Sequence, residues 1–273
     1  MILNTAAYHF VEITDPPALA ASLREWAEQG ELRGTALVAP EGINLFLAGT
    51  SEAISAFYAR LREDARFADL RIKYSDSRMQ PFARLKVKLK PEIISFRRDD
   101  ASPLGRRAPT VAPATLVQWL AQGHDDQGKR VVMLDTRNRQ EVAYGTFAGA
   151  LTFPIDKFTD LPAAVEAQRE SLADATVVSF CTGGIRCEKA ALWMHEAGMD
   201  NVLQLDGGIL GYFEEVGGQG YDGRCFVFDE RVALDPELKP LVDSVLTSFT
   251  AAALAWWRQP SRGSGFQPRM LYR

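Results

Sequence analysis

The chain has 273 residues, enough for two ordinary domains, and its 47% hydrophobic and 24% charged residues are typical of a soluble globular protein. No stretch approaches the roughly 18 consecutive apolar residues of a membrane-spanning helix, and the N-terminus lacks the charged-then-apolar layout of a secretory signal. Its three cysteines are too few, and odd in number, for a disulfide scaffold. These features exclude a membrane-spanning protein and predict a cytoplasmic location.

The charge is unevenly distributed along the chain. A formal net charge of −4 argues by itself against a nucleic-acid partner. Between Arg71 and Arg107, however, there are eleven Lys or Arg residues and four Asp or Glu residues, which leaves this segment at +7 and the remainder at −11. This segment is therefore the candidate for contact with an anionic partner such as RNA.

The first ninety or so residues alternate between strand and helix patterns. The predicted elements, in chain order, are a strand at 8–13, a helix at 16–29, strands at 35–38 and 43–48, a helix at 51–62, and strands at 70–74 and 85–89. This βαββαβ pattern predicts an α+β domain of the ferredoxin-like, acylphosphatase-like type over residues 1–95.

The composition then changes. Residues 96–113 are polar, contain Pro and Gly, and have no periodic apolar face, so we interpret them as an interdomain linker. Beyond the linker, apolar strands at 131–135, 176–180 and 202–205 alternate with helical stretches. This alternation predicts an α/β domain with a parallel central sheet over residues 114–222. Residues 223–273 are a C-terminal extension, with helical spacing from 238 to 257 and a flexible end after it.

A cysteine opens the loop between the second of these strands and a helix. Phe180 ends the strand, Cys181 follows, and residues 188–197 read as a good helix that stops at Gly198. Unpaired backbone N–H groups and the macrodipole at a helix N-terminus stabilise a thiolate and lower its pKa. The position therefore predicts that Cys181 is a nucleophile. The alternative is an inert, buried core thiol.

The rest of the loop favours an anion at the same point. Gly183 and Gly184 allow successive N–H groups to turn inward as an anion nest. Arg186 adds a fixed positive charge, directed at the sulfur or at an anionic substrate. The anion-stabilising loop thus comprises Thr182, Gly183, Gly184, Ile185 and Arg186.

This loop resembles the Cys-x-x-Gly-x-Arg loop of the rhodanese superfamily, whose cysteine is catalytic and carries sulfur as a persulfide. The supporting motifs are Asp135-Thr136-Arg137, Glu141, Tyr144-Gly145, Gly149-Ala150, Pro154 and Leu205-Asp206-Gly207-Gly208. Thr146-Phe147 departs from the His-Ile of many rhodaneses. Related phosphatases have a longer loop, so the six-residue loop here favours chemistry at sulfur. The resemblance identifies residues 114–222 as a rhodanese domain.

Four segments together resemble the oxygen-dependent tRNA uridine 34 hydroxylase family, over about residues 1–235. They are residues 41–44, 85–94, 145–150 and 181–189. The resemblance implies that Cys181 is catalytic, that tRNA is the partner and that 5-hydroxyuridine at the wobble position is the product. Molecular oxygen and an unknown electron donor are the implied co-substrates. Family members often end in a cysteine-rich stretch, whereas this sequence has no cysteine after Cys225.

The residues leave the chemical route open. Cys181 either adds to C6 of uracil, which activates C5, or acts through a persulfide. The alternative function is a general rhodanese-type sulfurtransferase that carries sulfane sulfur on Cys181 and needs neither RNA nor oxygen. No Gly-x-Gly-x-x-Gly fingerprint follows a strand, and the three dispersed histidines lack metal-ligand spacing, so we predict no resident cofactor or metal.

Secondary candidates complete the prediction. Arg137 is a candidate for the substrate pocket, and Asp135 for the pocket or for a structural hydrogen bond. Cys187 is either a resolving thiol that forms a disulfide with Cys181 or a small apolar group packed under the helix. The candidate RNA-binding residues are Arg84, Lys86, Lys88, Lys90, Arg97 and Arg98. The alternation of Lys with apolar residues at 85–90 is equally expected for the solvated face of any half-buried strand.

Overall fold

The computed structural model describes residues 1–242, so the predicted tail helix beyond residue 242 and the predicted flexible end lie outside the described residues. The described chain forms two units that pack against each other. No helix within residues 1–242 is long and apolar enough to cross a membrane.

The first unit is a five-stranded mixed sheet with two helices. Its strands are β1 (Ile2–Phe10), β2 (Arg33–Ala39), β3 (Gly42–Gly49), β4 (Ile72–Ser77) and β5 (Leu85–Leu89), and its helices are α1 (Pro16–Gln29) and α2 (Ser51–Leu61). The strand order is β4-β1-β3-β2-β5, with β5 parallel to β2 and the other neighbours antiparallel. The predicted βαββαβ order is confirmed, and β5 extends the sheet beside β2.

Strand β1 begins six residues before the predicted start. The polar residues Asn4 and Thr5 interrupt the apolar run in the sequence, yet both are buried. Asn4 donates to the hydroxyl of Ser77 over 3.0 Å, and the hydroxyls of Thr5 and Tyr58 are 2.9 Å apart. Hydrogen bonding allows these polar groups to be buried in a strand.

The two faces of the first sheet have different neighbours. Leu45 and Leu47 of β3 point toward α1 and α2 and are completely buried. Because strand side chains alternate, Phe46 between them points to the opposite face. Among the described residues, no helix of the first unit covers that face, which we call the helix-free face; it also carries Tyr8 and Lys73.

The second unit is built on a parallel sheet with the order β6-β10-β9-β7. Its strands are β6 (Thr110–Val111), β7 (Val131–Asp135), β8 (Gly145–Phe147), β9 (Thr176–Phe180), β10 (Val202–Leu205), β11 (Tyr221–Gly223), β12 (Cys225–Phe226) and β13 (Ala233–Leu234). Its helices are α3 (Pro113–Gln122), α4 (Arg139–Val142), α5 (Leu161–Glu166), α6 (Arg169–Leu172), α7 (Ile185–Glu196) and α8 (Gly208–Val216). The predicted parallel α/β sheet is confirmed, and the carboxyl ends of its strands place the loops after β7, β9 and β10 at one edge.

Residues 96–113, predicted to be a linker, contribute to the core of the second unit. Phe96 stacks on Phe158 with ring centroids 4.5 Å apart, and Ala101 and Ala108 are buried. Thr110–Val111 pairs with β10 as an edge strand. The apolar residues of segment 96–113 that are buried stand among charged and polar residues without a regular spacing, so the sequence pattern does not predict their burial. At the other end, the predicted boundary at residue 223 falls within β11, which pairs with β8.

Candidate active site

The backbone of the cysteine loop is fixed by two helix N-termini. Gly184 is the N-cap of α7, and its N–H donates to Sγ of Cys181 over 3.2 Å. The carbonyls of Cys181 and Thr182 accept hydrogen bonds from the N–H groups of Ile209 and Leu210 in α8, at 2.9 and 3.0 Å. The loop therefore directs an N–H group toward the sulfur while α8 binds its carbonyl groups.

Close approach between the loop and α8 requires glycine at position 208. Gly208 has a φ of +63°, and a Cβ placed on it would lie 2.6 Å from both the carbonyl oxygen of Cys181 and the nitrogen of Gly184. Both neighbours are backbone atoms, which have no freedom to move aside. The second glycine of the Asp206-Gly207-Gly208 motif thus allows α8 to pack directly against the cysteine loop.

Cys181 is completely buried, yet its surroundings favour the thiolate. Burial by itself raises the pKa of the Cys181 thiol. A hydrogen bond from Cys187, the charge of Arg186, and the backbone N–H groups of Arg186 and Gly184 outweigh burial and lower that pKa to about 5. Cys181 is consequently an anion at neutral pH, as a nucleophile must be.

Cys187 lies in the first turn of α7, hydrogen-bonded to Cys181. Its sulfur is also 3.6 Å from the hydroxyl oxygen of Thr136. Burial and the neighbouring thiolate raise the pKa of Cys187 well above its usual value, so it is a neutral donor to Cys181. Both cysteines are free thiols here, and the resolving role of Cys187 stays a prediction.

Arg186 forms a buried ion pair with Glu141, and its charge also acts on the sulfur of Cys181. Its Nη1 and Nη2 donate to the two oxygens of Glu141 over 2.6 and 2.7 Å, and the two side chains are almost fully buried. Glu141 also accepts from the hydroxyl of Thr182 at 3.3 Å, and a capping box with Asn138 fixes it in α4. Arg186 therefore lowers the pKa of Cys181 from a rigid position.

Asp135 and Arg137 form a completely buried ion pair. Arg137 donates to Asp135 from Nη2 and Nε at 2.6 and 2.9 Å, and to the carbonyl of Gly145 at 2.6 Å. Thr146, where many rhodaneses have His, donates its hydroxyl to Asp135 over 2.8 Å. Arg137 has no exposed surface and its donors are engaged within the fold, so both side chains hydrogen-bond the loops here. A role of Arg137 or Asp135 in the substrate pocket stays a prediction.

Two side chains of the first unit cover the cysteine loop, and the sequence analysis missed both. Lys73 on β4 donates from Nζ to the carbonyl of Gly183 at 2.9 Å. Tyr8 on β1 donates its hydroxyl to Glu188 in α7 over 3.3 Å, and the ammonium of Lys73 lies 5.6 Å from the centre of the Tyr8 ring. We call Tyr8 and Lys73 the loop cover. Tyr8 and Lys73 are 110 or more residues away in the sequence from the residues that they contact, so no local sequence pattern predicts these contacts.

Ion pairs hold the two units together around the loop. Lys189 of α7 is almost completely buried and contacts Glu41 and Glu92 of the first unit at 2.8 and 2.6 Å. Arg71 contacts Asp206, which follows β10, at 2.8 Å. Charge and apolar packing therefore both fix the position of the loop cover.

Four of the candidate RNA-binding residues lie on or beside β5. Lys86 and Lys88 point to the helix-free face, because Val87 between them packs into the core of the first unit. Arg84 and Lys90 flank the strand and are exposed. These four residues share a sheet with the loop cover.

The remaining two candidates, Arg97 and Arg98, lie elsewhere. The guanidinium of Arg98 is 5.5 Å from the centre of the Trp193 ring, and both arginines line an open cavity of about 630 Å³. Trp193 is eight residues into α7, about 12 Å along the helix axis from the cysteine loop. The structure thus separates these two arginines from the other four.

The histidines are dispersed in the fold. His124 lies beside the carbonyl of Asp125 at 2.9 Å, and His195 beside that of Val202 at 2.8 Å. Within residues 1–242, no group of three or more His, Cys, Asp or Glu side chains is arranged to hold a metal ion.

Comparison with known proteins identifies both units. The profile of the UPF0176 acylphosphatase-like domain matches residues 2–93, and that of the rhodanese-like domain matches residues 116–215. A tRNA uridine(34) hydroxylase of Xanthomonas euvesicatoria is 74% identical over 248 residues, which are 91% of this chain and 100% of that protein. The chain belongs to the tRNA uridine(34) hydroxylase family. The family resemblance seen in the sequence is thereby confirmed.

More distant matches extend the comparison. A tRNA uridine(34) hydroxylase of Xylella fastidiosa is 65% identical over 256 residues, 93% of this chain and 100% of that protein. Among solved structures, a Saccharomyces cerevisiae homologue of single-domain rhodanese and the Cdc25 phosphatase catalytic domain has a TM-score of 0.34 and 17% identity. That match covers 42% of this chain and 87% of the yeast chain.

Proposed function

We propose that this member of the tRNA uridine(34) hydroxylase family converts uridine 34 of tRNA to 5-hydroxyuridine, with Cys181 as the reacting group. The observation that carries the proposal is the buried Cys181 thiolate, which accepts the N–H of Gly184 at the start of α7. The relatives that match nearly the whole chain are named for this activity. A tRNA substrate in turn implies the cytoplasm as the site of action.

The electron balance defines what else the reaction needs. Replacing the C5 hydrogen of uracil with a hydroxyl consumes one oxygen molecule, two electrons and two protons, and it releases one water. The oxygen molecule and an external electron donor supply these. Cys181 contributes nucleophilicity, and the fixed charge of Arg186 and the loop N–H group stabilise its anionic form.

Two routes use the same thiolate. In the first, Sγ adds to C6 of uracil, C5 becomes electron-rich and receives oxygen, and Sγ leaves again as the C5 proton is lost. In the second, Sγ first takes the sulfane sulfur of a donor such as thiosulfate, which leaves as sulfite, and Cys181 then reacts as a persulfide. Mass spectrometry of the protein quenched during turnover distinguishes them, since the first gives a Cys181–nucleotide adduct and the second adds one sulfur atom to Cys181.

The proposal is tested by incubating the protein with unmodified tRNA, a reductant and isotopically labelled oxygen gas, followed by mass spectrometry of the nucleosides. We expect labelled 5-hydroxyuridine with the wild type and with Cys225→Ser, a control for loss of a buried cysteine. We expect none with Cys181→Ala. Absence of the product with every reductant, together with RNA-independent transfer of sulfur from thiosulfate to cyanide, would contradict the proposal and favour the sulfurtransferase.

A further inference from the structure

The two ends of the basic segment from Arg71 to Arg107 meet at one carboxylate. Arg71 directly precedes β4 of the first unit, whereas Arg107 lies shortly before β6 of the second unit. Nη1 of Arg71 donates to the two oxygens of Asp206 at 2.9 and 2.8 Å. Nη2 of Arg107 donates to one of the same oxygens at 3.2 Å. The fold therefore places side by side two guanidinium groups that are far apart in the sequence.

The two guanidinium groups are more exposed than the carboxylates that bind them. The side chains of Arg71 and Arg107 are 71% and 51% exposed. Asp206 is 25% exposed, and Glu188, the second carboxylate that Arg107 contacts, is 7% exposed. The surface that solvent reaches here is therefore mainly cationic, and an approaching anion is attracted to it.

Both arginines retain hydrogen-bond donors for a ligand. A guanidinium group has five N–H donors. Arg71 contacts Asp206 through Nη1 alone, and Arg107 contacts its two carboxylates through Nε and Nη2. Within residues 1–242, Nε and Nη2 of Arg71 and Nη1 of Arg107 make no hydrogen bond. Adjacent guanidinium groups with free N–H donors match the oxygens of a phosphate group.

This pair of arginines lies beside the cysteine loop. Asp206 directly precedes Gly207 and Gly208, and the backbone of Gly208 packs against Cys181 and Gly184. Cys181 has no exposed surface, so a uridine reaches the sulfur only after the groups that cover it move. A charged phosphate is costly to bury, so the phosphates beside that uridine stay at the surface next to the loop.

We propose that Arg71 and Arg107 bind a phosphate group of the anticodon loop beside the target uridine. The proposal rests on the function proposed above, because it takes tRNA as the substrate. Each unit contributes one of the two arginines, so the phosphate site exists only where the two units pack together. This gives the first unit a direct contact with the substrate.

Binding of a fluorescent anticodon stem-loop, measured by anisotropy without oxygen at several salt concentrations, tests the proposal. We expect Arg71→Gln and Arg107→Gln each to weaken binding and to reduce the slope of log Kd against log salt by about one. Arg71→Lys retains the charge and should retain the slope. The control is Arg33→Gln, which removes an exposed arginine of β2, a strand separated from β4 by β1 and β3. It should bind RNA as the wild type does.

Asp206→Asn separates phosphate binding from a purely structural role of the arginines. The variant keeps an acceptor oxygen between the two guanidinium groups and removes a charge that repels phosphate. We therefore expect it to bind RNA at least as tightly as the wild type. If the arginines only join the two units through Asp206, this variant will weaken RNA binding as much as Arg71→Gln does, and the proposal is then wrong.

The remaining outcomes separate this proposal from the proposed function. Unchanged RNA binding and an unchanged salt slope in both Arg→Gln variants would overturn the phosphate site, even if the wild type makes 5-hydroxyuridine. Binding of inorganic phosphate that depends on Arg71, with no effect of Arg71→Gln on RNA binding, would also overturn it. If the wild type binds RNA through these arginines but makes no 5-hydroxyuridine with any reductant, the proposed function fails while the phosphate site stands.

Discussion

Lys73, in the sheet of the first unit, donates a hydrogen bond of 2.9 Å to the carbonyl of Gly183, inside the cysteine loop of the second unit. Burial lowers the pKa of Lys73, and the charge of the Cys181 thiolate opposes that lowering. The attraction is mutual, so Lys73 also stabilises the thiolate. The first unit is therefore part of the electrostatic environment of the reacting sulfur.

We predict that Lys73→Met raises the pKa of Cys181, because an ammonium that favours the thiolate is removed. The thiolate absorbs in the ultraviolet, so a pH titration of this absorbance, compared with Cys181→Ala, reports its pKa. The wild-type midpoint is expected at about 5, and the variant midpoint at higher pH. Lys73→Arg retains the charge and should stay near wild type. Lys90→Met is the control, because it removes an exposed cation of the same unit that solvent screens.

The hydrogen bond from Cys187 is the strongest of the contacts that lower the pKa of Cys181. We therefore predict that Cys187→Ala shifts the titration of Cys181 to higher pH. Cys187→Ser keeps a hydroxyl donor and should shift it less. Identical titrations for the wild type and Cys187→Ala would show that the thiolate does not depend on this bond.

The resolving role of Cys187 has a separate test with the same variants. Mild oxidation of the wild type should join Cys181 and Cys187 in a disulfide, which peptide mass spectrometry detects after digestion. Cys187→Ser cannot form this bond, so its Cys181 should proceed to sulfinic acid. Sulfinic acid on Cys181 of the wild type would contradict the role.

Glu141→Gln should strongly destabilise the fold. It leaves the buried Arg186 without its counter-charge, and breaking a buried ion pair costs about 3–5 kcal/mol of unfolding free energy. Urea unfolding measures the loss. Asp156→Asn is the control, because the Arg139–Asp156 pair is exposed and contributes less than about 1 kcal/mol.

The same pair has a characteristic pH dependence. Burial raises the pKa of Glu141, but Arg186 outweighs burial and lowers that pKa below its usual value. The folded state therefore gains stability above the ordinary pKa of Glu and loses it as the pH falls toward the lowered pKa. Glu141→Gln should lack this acid-dependent loss, so unfolding curves of the two proteins should converge at low pH.

Gly208→Ala should reduce hydroxylation about a hundredfold, the scale expected when reacting groups are displaced by about 1 Å. The new methyl would lie 2.6 Å from backbone atoms of Cys181 and Gly184 and force the loop away from α8. Gly149→Ala is a matched control: Gly149 has a similar φ of +70° but open space around it. It should lose about 1 kcal/mol of stability and retain activity. Equal activity of the two variants would refute the steric argument.

The cysteine loop was predictable from the sequence because its features are local. Cys181, the glycines and Arg186 follow one another between a strand and a helix, and their geometry follows from that order. The parallel sheet was predictable for the same reason, since apolar strands alternate with helices. Lys86 and Lys88 lie half-buried on one face of β5, as the alternation indicated, and the register places Phe46 on the same face of the sheet.

Contacts between distant residues were not predictable. Tyr8 and Lys73 reach the loop only because the two units pack together, and nothing near them in the sequence indicates a partner. The charge of Arg137 made it a candidate for the substrate pocket, and nothing in the sequence indicated that it forms a completely buried ion pair with Asp135. Phe96 was assigned to a linker because a single apolar residue among charged residues forms no periodic pattern from which burial could be predicted.

The loop cover also affects how the resting protein withstands oxidants. Peroxide oxidises a thiolate only where it can reach the sulfur, and Cys181 has no exposed surface beneath Tyr8 and Lys73. A low pKa usually makes a cysteine vulnerable to irreversible damage in air. Here Tyr8 and Lys73 of the first unit shield the sulfur, so oxidation of Cys181 in the resting protein is expected to be slow for a cysteine of such low pKa.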